Sequence, residues 1–204
     1  MQNLEVIDLG VKDYLETLNL QYDFVNKRIN KEIPDTLIFV EHPHVVTLGR
    51  KANPDNIIDK SLTTYQVERG GDVTYHGPGQ IVGYPIIDYS EKKDIGKFLR
   101  NIEQVLIETL KLYNVESLRK EKYTGVWLPS DKKIASIGVS FKNWVSYHGF
   151  SLNVSTDLDY FYKINPCGLE SSVMINLQDL VTDKVNISKI KTDIANNFLM
   201  IFND

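Results

Sequence analysis

The chain has 204 residues, 42% hydrophobic and 25% charged, with a formal net charge of −4. This is the balance of one globular domain over 1–204 with a sizeable core, and it excludes the strongly cationic character that broad phosphate-backbone binding requires, so nucleic acid is not an expected partner. Met1–Gly10 lacks a basic n-region followed by an apolar h-region, no apolar run approaches the roughly 18 residues that span a bilayer, and one cysteine allows no internal disulfide. A cytoplasmic protein with no membrane association and a free thiol is expected.

Residues 4 to 8 read as a short strand. Val11, Leu15, Leu18, Tyr22, Val25 and Ile29 then recur at spacings of four and three, which predicts an amphipathic helix. Leu37 to Val40 and Val45 to Leu48 read as strands separated by His42-Pro43-His44, and the polar stretch from Arg50 to Lys60 as a loop. Strands follow near Tyr65 to Glu68 and Gln80 to Ile87. Ile95, Phe98, Ile102, Val105 and Thr109 predict a second helix, with Asp94 at its start where a carboxylate suits the helix dipole. Lys133 to Phe141 and Val145 to Val154 predict an antiparallel pair around Lys142-Asn143-Trp144. Ile187, Ile190, Ile194, Phe198 and Ile201 line a final helix that Asn186 is placed to cap. Strands in runs interrupted by three helices indicate an α+β fold.

Two segments carry chemistry. The string Arg69-Gly70-Gly71-Asp72-Val73-Thr74-Tyr75-His76-Gly77-Pro78-Gly79-Gln80 holds four of the twelve glycines, a density that lets backbone N–H groups approach a ligand without Cβ obstruction. It matches neither phosphate-loop pattern, so it offers no motif for nucleotide binding. The only cysteine, Cys167, lies between Pro166, which restricts the backbone, and Gly168, which relaxes it. That is the setting of a turn presenting a thiol into a cleft, although a lone cysteine also reads as a small core residue. His42, His44 and His148 are not spaced with carboxylates as a zinc site, and no metal is expected.

Arg69 to Gln80 resembles the signature of the lipoyl(octanoyl) transferase family. Lys133-Ile134-Ala135-Ser136-Ile137-Gly138, His148-Gly149-Phe150-Ser151-Leu152-Asn153-Val154 and Pro166-Cys167-Gly168 resemble further family strings in the same order. Glu41-His42-Pro43 ahead of Thr47-Leu48-Gly49-Arg50 extends the likeness from about Leu37 to Gly168. His44 departs from it, standing where the family commonly has a second proline. The resemblance implies the fold of lipoate- and biotin-protein ligase catalytic domains, with mixed β-sheets flanked by helices. It implies transfer of an octanoyl group from octanoyl-acyl carrier protein to a lysine of lipoyl domains, those of 2-oxoacid dehydrogenase E2 subunits and of the glycine cleavage H protein.

The resemblance also implies the residue roles. Cys167 would carry the acyl group as a thioester and Lys133 would activate it. Arg69, Gly70, Gly71, Asp72, Val73, Thr74, Tyr75 and His76 would contact substrate, together with Ser136, Ile137 and Gly138 and with Gly149, Phe150 and Ser151. Exchange of one thioester for another is nearly isoenergetic, so no ATP and no cofactor are expected. A thiol of pKa near 8.5 is only a few per cent ionised at pH 7 and needs a neighbouring cation or base. Lys133 suits either role: charged, it lowers the thiol pKa; neutral, it takes the proton. In a strand Lys132 and Lys133 face opposite ways, so only one enters a pocket. An ATP-dependent lipoate-protein ligase and an octanoyl amidotransferase acting between lipoyl domains are the alternatives on this fold. A monomer is the default, and Lys51, Lys92, Lys93 and Lys142 are candidate carrier-docking residues by charge alone.

Overall fold

The computed structural model describes residues 4–203, apart from the side chain of Cys167. The described elements, in chain order, are strand β1 (Leu4–Val11), helix α1 (Tyr14–Ile29), β2 (Asp35–Glu41), β3 (Val45–Leu48), β4 (Thr64–Gln66), β5 (Val73–His76) and β6 (Gln80–Ile86). Helix α2 (Ile95–Lys111), β7 (Val126–Trp127), β8 (Lys133–Lys142), β9 (Val145–Asn153) and α3 (Ile187–Asn203) follow. Short 3-10 turns punctuate the connections, among them Pro54–Asn56 within the predicted loop and Pro166–Gly168.

The strands form a six-stranded sheet in the order β1-β2-β6-β9-β8-β7 and a three-stranded sheet in the order β4-β3-β5. β1 runs parallel to β2 and β3 parallel to β4, and the other pairs are antiparallel. The pair predicted around Lys142-Asn143-Trp144 is the β8–β9 hairpin. Its two turn residues have φ of 49° and 65°, as a two-residue turn matching the right-handed strand twist demands. His42-Pro43-His44 joins two strands that belong to different sheets, so it swings the chain from one layer to the other.

The main core lies on the face of the large sheet covered by α2 and α3, where Phe98, Ile102, Val105 and Leu106 of α2 meet Ile190, Ile194 and Phe198 of α3. Asp94 caps α2 by accepting from the Lys97 N–H at 2.8 Å, and Asn186 caps α3 by accepting from the Lys189 N–H at 3.1 Å. The opposite face carries Val82, Tyr84 and Tyr147 toward α1. Here the apolar stripe is a poor guide: α1 buries Tyr14, Thr17, Leu18, Gln21 and Val25, while Leu15 is 42% exposed and Val11 belongs to β1. Buried Gln21 accepts from the His148 N–H at 2.8 Å, so this helix covers polar backbone as well as hydrocarbon. Val73–His76, read as part of a glycine-rich loop, is strand β5, and β7 had no counterpart among the predicted elements. No helix among the described residues is long and apolar enough to cross a membrane.

Phe98 is fully buried, with ring centroids of Tyr89, Phe141 and Phe202 at 5.0, 5.1 and 5.3 Å. Phe98→Ala leaves a cavity the α2–α3 pair cannot collapse into, and should lower stability by about 3–5 kcal/mol in denaturant unfolding. A cost below about 1 kcal/mol contradicts this account of the core.

Candidate active site

A cavity of about 490 Å³, counting the space open at its mouth, lies between the large sheet and the three-stranded sheet. Its floor follows from register: Ser136 pairs with Ser151 and Gly138 with Gly149 across β8 and β9, and Ser151 pairs with Val82 of β6. Alternation along each strand puts these small side chains on one face. Phe150, between them, turns into the main core yet still borders the cavity, as does Ile137.

The roof is the turn Arg69-Gly70-Gly71 with Thr74 and His76 of β5. It is seated by backbone: the Gly70 N–H donates to the Val139 carbonyl at 3.0 Å, while Gly49, Arg50 and Lys51 donate to carbonyls of Asp72, Arg69 and Gly71. The approach is close enough that a Cβ on Gly138 would lie 2.8 Å from the Gly70 carbonyl oxygen, which is why β8 has glycine there. The buried Arg69 guanidinium donates to the Thr47 carbonyl at 2.6 Å, to the Thr47 hydroxyl and to the Gly70 carbonyl. A cation out of water needs such filled donors.

Not all of the predicted string borders the cavity. Asp72 accepts from the Asn53 and Val73 N–H groups and from the Asn56 amide, tying down the 50–60 loop, while Val73 and Tyr75 belong to a small core with Phe161. That loop in turn holds the cysteine turn, because the Asn165 N–H donates to the Asn56 carbonyl at 2.7 Å and a Cβ on Gly168 would lie 4.0 Å from the Asp72 carboxylate. The backbone of Cys167 lies in the Pro166–Gly168 turn; its side chain lies outside the described residues.

Lys133 opens β8 and lines the cavity, only 2% exposed, with its amine 5.4 Å from the centroid of the Trp127 ring. Lys132, facing the other way, donates to the Ser172 carbonyl at 2.7 Å. The Lys133 carbonyl accepts from the Ile175 N–H at 3.2 Å, so the chain leaving the cysteine turn returns to the start of β8. Gly125, at φ +134°, stands against the lysine stem: a Cβ there would lie 2.8 Å from Lys133 Cε. The Gly125 N–H donates to the fully buried carboxylate of Glu103 at 3.0 Å, and Arg100 (2.6 Å) and Arg119 (3.3 Å) neutralise that carboxylate.

Sequence reasoning left out Tyr14, Val82, Tyr84 and His148, which also line the cavity. His148 had a signal of a kind, since it precedes Gly149 in a recognised string; it adopts φ 53° and its buried Nε2 faces the Glu68 carboxylate at 3.9 Å. Among the described residues no three His, Cys, Asp or Glu side chains are grouped to hold a metal. Burial, as the main cause, lowers the pKa of His42 and His148 to about 4 and that of His76 to about 3. For His148 the Arg69 charge adds to it; for His76 the neighbouring His42 does.

The family model described as the lipoyl protein ligase A/B catalytic domain matches residues 13–199. An octanoyltransferase of Christiangramia forsetii is 40% identical over 98% of this chain and 96% of its own length. One of Syntrophotalea carbinolica is 41% identical over 96% and 92%. Among solved structures, that of an archaeal lipoylation system from Thermoplasma acidophilum, a bi-partite lipoate protein ligase and its E2 lipoyl domain, superposes with a TM-score of 0.75. It shares 16% identity and covers all of this chain and 85% of that one. The biotin protein ligase of Aquifex aeolicus gives 0.60 at 11% identity, covering all of this chain and 71% of that one. These two likenesses show the fold.

Three histidines held neutral in the fold bind protons more readily once unfolded, so stability falls as pH drops from about 6.5 toward 4, and toward 3 for His76. By pH 5 each costs about 2 kcal/mol. Asp59, Glu68, Asp88 and Asp193, whose pKa values are lowered from 3.8 or 4.5, lose their stabilising effect only below about pH 5. The melting temperature should therefore drop clearly between pH 7.5 and 5.0, and less steeply in His148→Gln. A flat profile over that interval refutes the neutral-histidine assignment.

Proposed function

The chain belongs to the lipoyl protein ligase A/B catalytic domain family and is an acyltransferase, and on that premise we propose that it carries an octanoyl group from octanoyl-acyl carrier protein to the acceptor lysine of lipoyl domains, through a thioester on Cys167. The acceptors are lipoyl domains of 2-oxoacid dehydrogenase E2 subunits and the glycine cleavage H protein, the setting is the cytoplasm, and 1–204 works as one catalytic unit.

The observation that carries the reading is the buried Lys133 amine at one end of a Gly- and Ser-floored slot, in a chain about 40% identical to octanoyltransferases along nearly its whole length. In the first half-reaction the Cys167 thiol gives its proton to the neutral Lys133 amine. The thiolate attacks the donor thioester carbonyl, and the carrier's thiol departs as that tetrahedral adduct collapses, taking the proton from Lys133. In the second, the acceptor amine attacks the Cys167 thioester, Lys133 accepts the amine's proton and returns it to the leaving sulfur, and a C–N bond replaces the C–S bond. The balance is one thioester and one amine in, one thiol and one amide out.

The Trp127 face beside the Lys133 amine is a polarisable neighbour for the charged form taken between steps. The octanoyl tail, lying over the Ser136, Gly138, Gly149 and Ser151 floor, would gain about 0.8 kcal/mol per methylene buried.

Incubation with octanoyl-carrier protein should add one octanoyl group to the wild-type chain by intact mass and none to Cys167→Ala, and transfer to a lipoyl domain should proceed without ATP. Lys133→Ala should lower the acylation rate by about 10²–10⁴-fold, the range of general acid–base catalysis. The same adduct on Cys167→Ala removes the nucleophile from the mechanism, and strict ATP dependence turns the assignment to a ligase.

A further inference from the structure

The slot has a mouth and an end. Lys133 sits at the start of β8, and Gly138 lies five residues along it, about 17 Å at the usual strand rise. Past the Gly138–Gly149 pair the next residues on this face are Ser140, whose hydroxyl accepts from the Arg50 guanidinium, and the bulky Tyr147. There a Cβ on Gly149 would meet the Gly83 carbonyl and Pro85, so Tyr84, between those two residues on β6, flanks Gly149 at the end of the floor. Tyr14 reaches in from the first turn of α1, and both tyrosines are 3% exposed and border the cavity.

This end is rigid, and the reason is a directional hydrogen-bond chain. Nδ1 of His42 lies 2.7 Å from the Lys12 carbonyl, which only accepts, so neutral His42 carries its proton on Nδ1. Nε2 is then an acceptor, and the Tyr84 O–H donates to it at 2.8 Å. His42 is fully buried, and the Tyr14 ring packs edge-on against it at 5.2 Å and stacks with His76 at 6.3 Å. The phenol of Tyr84 has neither freedom to swing aside nor a proton to spare for a polar ligand. A hydrocarbon tail growing along the slot meets aromatic side chains that cannot yield.

Resting on the function proposed above, we infer that Tyr84, locked by His42 and backed by Tyr14, is the end wall that sets acyl-chain length. A methylene that fits gains only about fourfold in preference from burial, so sharp selection among chain lengths needs such a stop. Tyr84 and Tyr14 are specificity determinants, lying at the opposite end of the slot from the Lys133 amine.

The test compares carrier-linked octanoyl, decanoyl and dodecanoyl donors in wild type, Tyr84→Ala and Tyr14→Ala, reading kcat/KM by acceptor mass. It adds binding of free octanoic, decanoic and dodecanoic acids by native mass spectrometry, after circular dichroism has checked folding. The dodecanoyl-to-octanoyl ratio should rise at least tenfold in Tyr84→Ala and should rise in Tyr14→Ala. The bound-acid distribution should shift to the longer acids in parallel. If Tyr84→Ala does not fold, the Tyr14→Ala ratio decides. Ratios and bound-acid distributions identical to wild type in a folded variant overturn the end wall, and so does failure of every acid to bind. Wild type that binds octanoic acid but transfers no acyl group from any donor sinks the proposed reaction instead; the binding arm then still decides whether the wall limits chain length.

Discussion

The contact on which the site depends is the seating of the Arg69–Gly71 turn against β8. Two sheets that met through ordinary side chains would pack about 10 Å apart and fill the gap with hydrocarbon. Here the spacing at one point is fixed by backbone, through the Gly70 N–H to Val139 carbonyl bond and the absence of a Cβ on Gly138. Arg69 bolts the other side by spending its guanidinium donors on Thr47 and on the Gly70 carbonyl. The sheets touch at the turn and diverge beside it, where Ser136, Ser151 and Gly149 are too small to close the space. The slot is what backbone contact at one place leaves open at the next.

Elements whose burial is hydrophobic were legible in the sequence. α2 and α3 bury Phe98, Ile102, Val105, Ile190, Ile194 and Phe198 at helical spacing, and both caps stand where their residue types suggest. α1 was legible as a helix but not in its orientation, because the face it buries includes Thr17, whose hydroxyl donates back to the Asp13 carbonyl, and Gln21, which accepts from the His148 N–H beneath it. β5 hid behind its glycine-rich surroundings, although Val73-Thr74-Tyr75 is β-prone, and β7 is too short to show a period. At the site, strings contiguous in sequence revealed the roof, the floor and Lys133. The end of the slot left no such trace, since Tyr14, His42 and Tyr84 come from three separate segments and meet only in the fold.

Charge is partitioned along the same slot. Of its lining residues, His76 and His148 are histidines that burial keeps neutral. The cation of Arg69 is consumed by carbonyls within the roof, and the Lys133 amine enters from the mouth. In the reaction proposed above, an apolar chain would lie at one end of this cavity and the Lys133 amine at the other, so neither would impose a desolvation cost on the other.

What holds that amine in place begins in the hydrophobic core. α2 is fixed by Ile102, Val105 and Leu106, and the same turns carry Glu103, whose carboxylate is fully buried. A buried carboxylate is tolerated only with its lone pairs filled, and Arg100, Arg119 and the Gly125 N–H fill them. The third of these partners is backbone, so the ion cluster fixes a main-chain position, at the one residue type that leaves room for the lysine stem 2.8 Å from where a Cβ would be. A glutamine at 103 would still accept from Gly125 but would leave two guanidinium groups facing a neutral amide. The support of Lys133 therefore rests on the charge of Glu103 as well as on its shape, which ties the Lys133 end of the slot to the packing of α2 against α3.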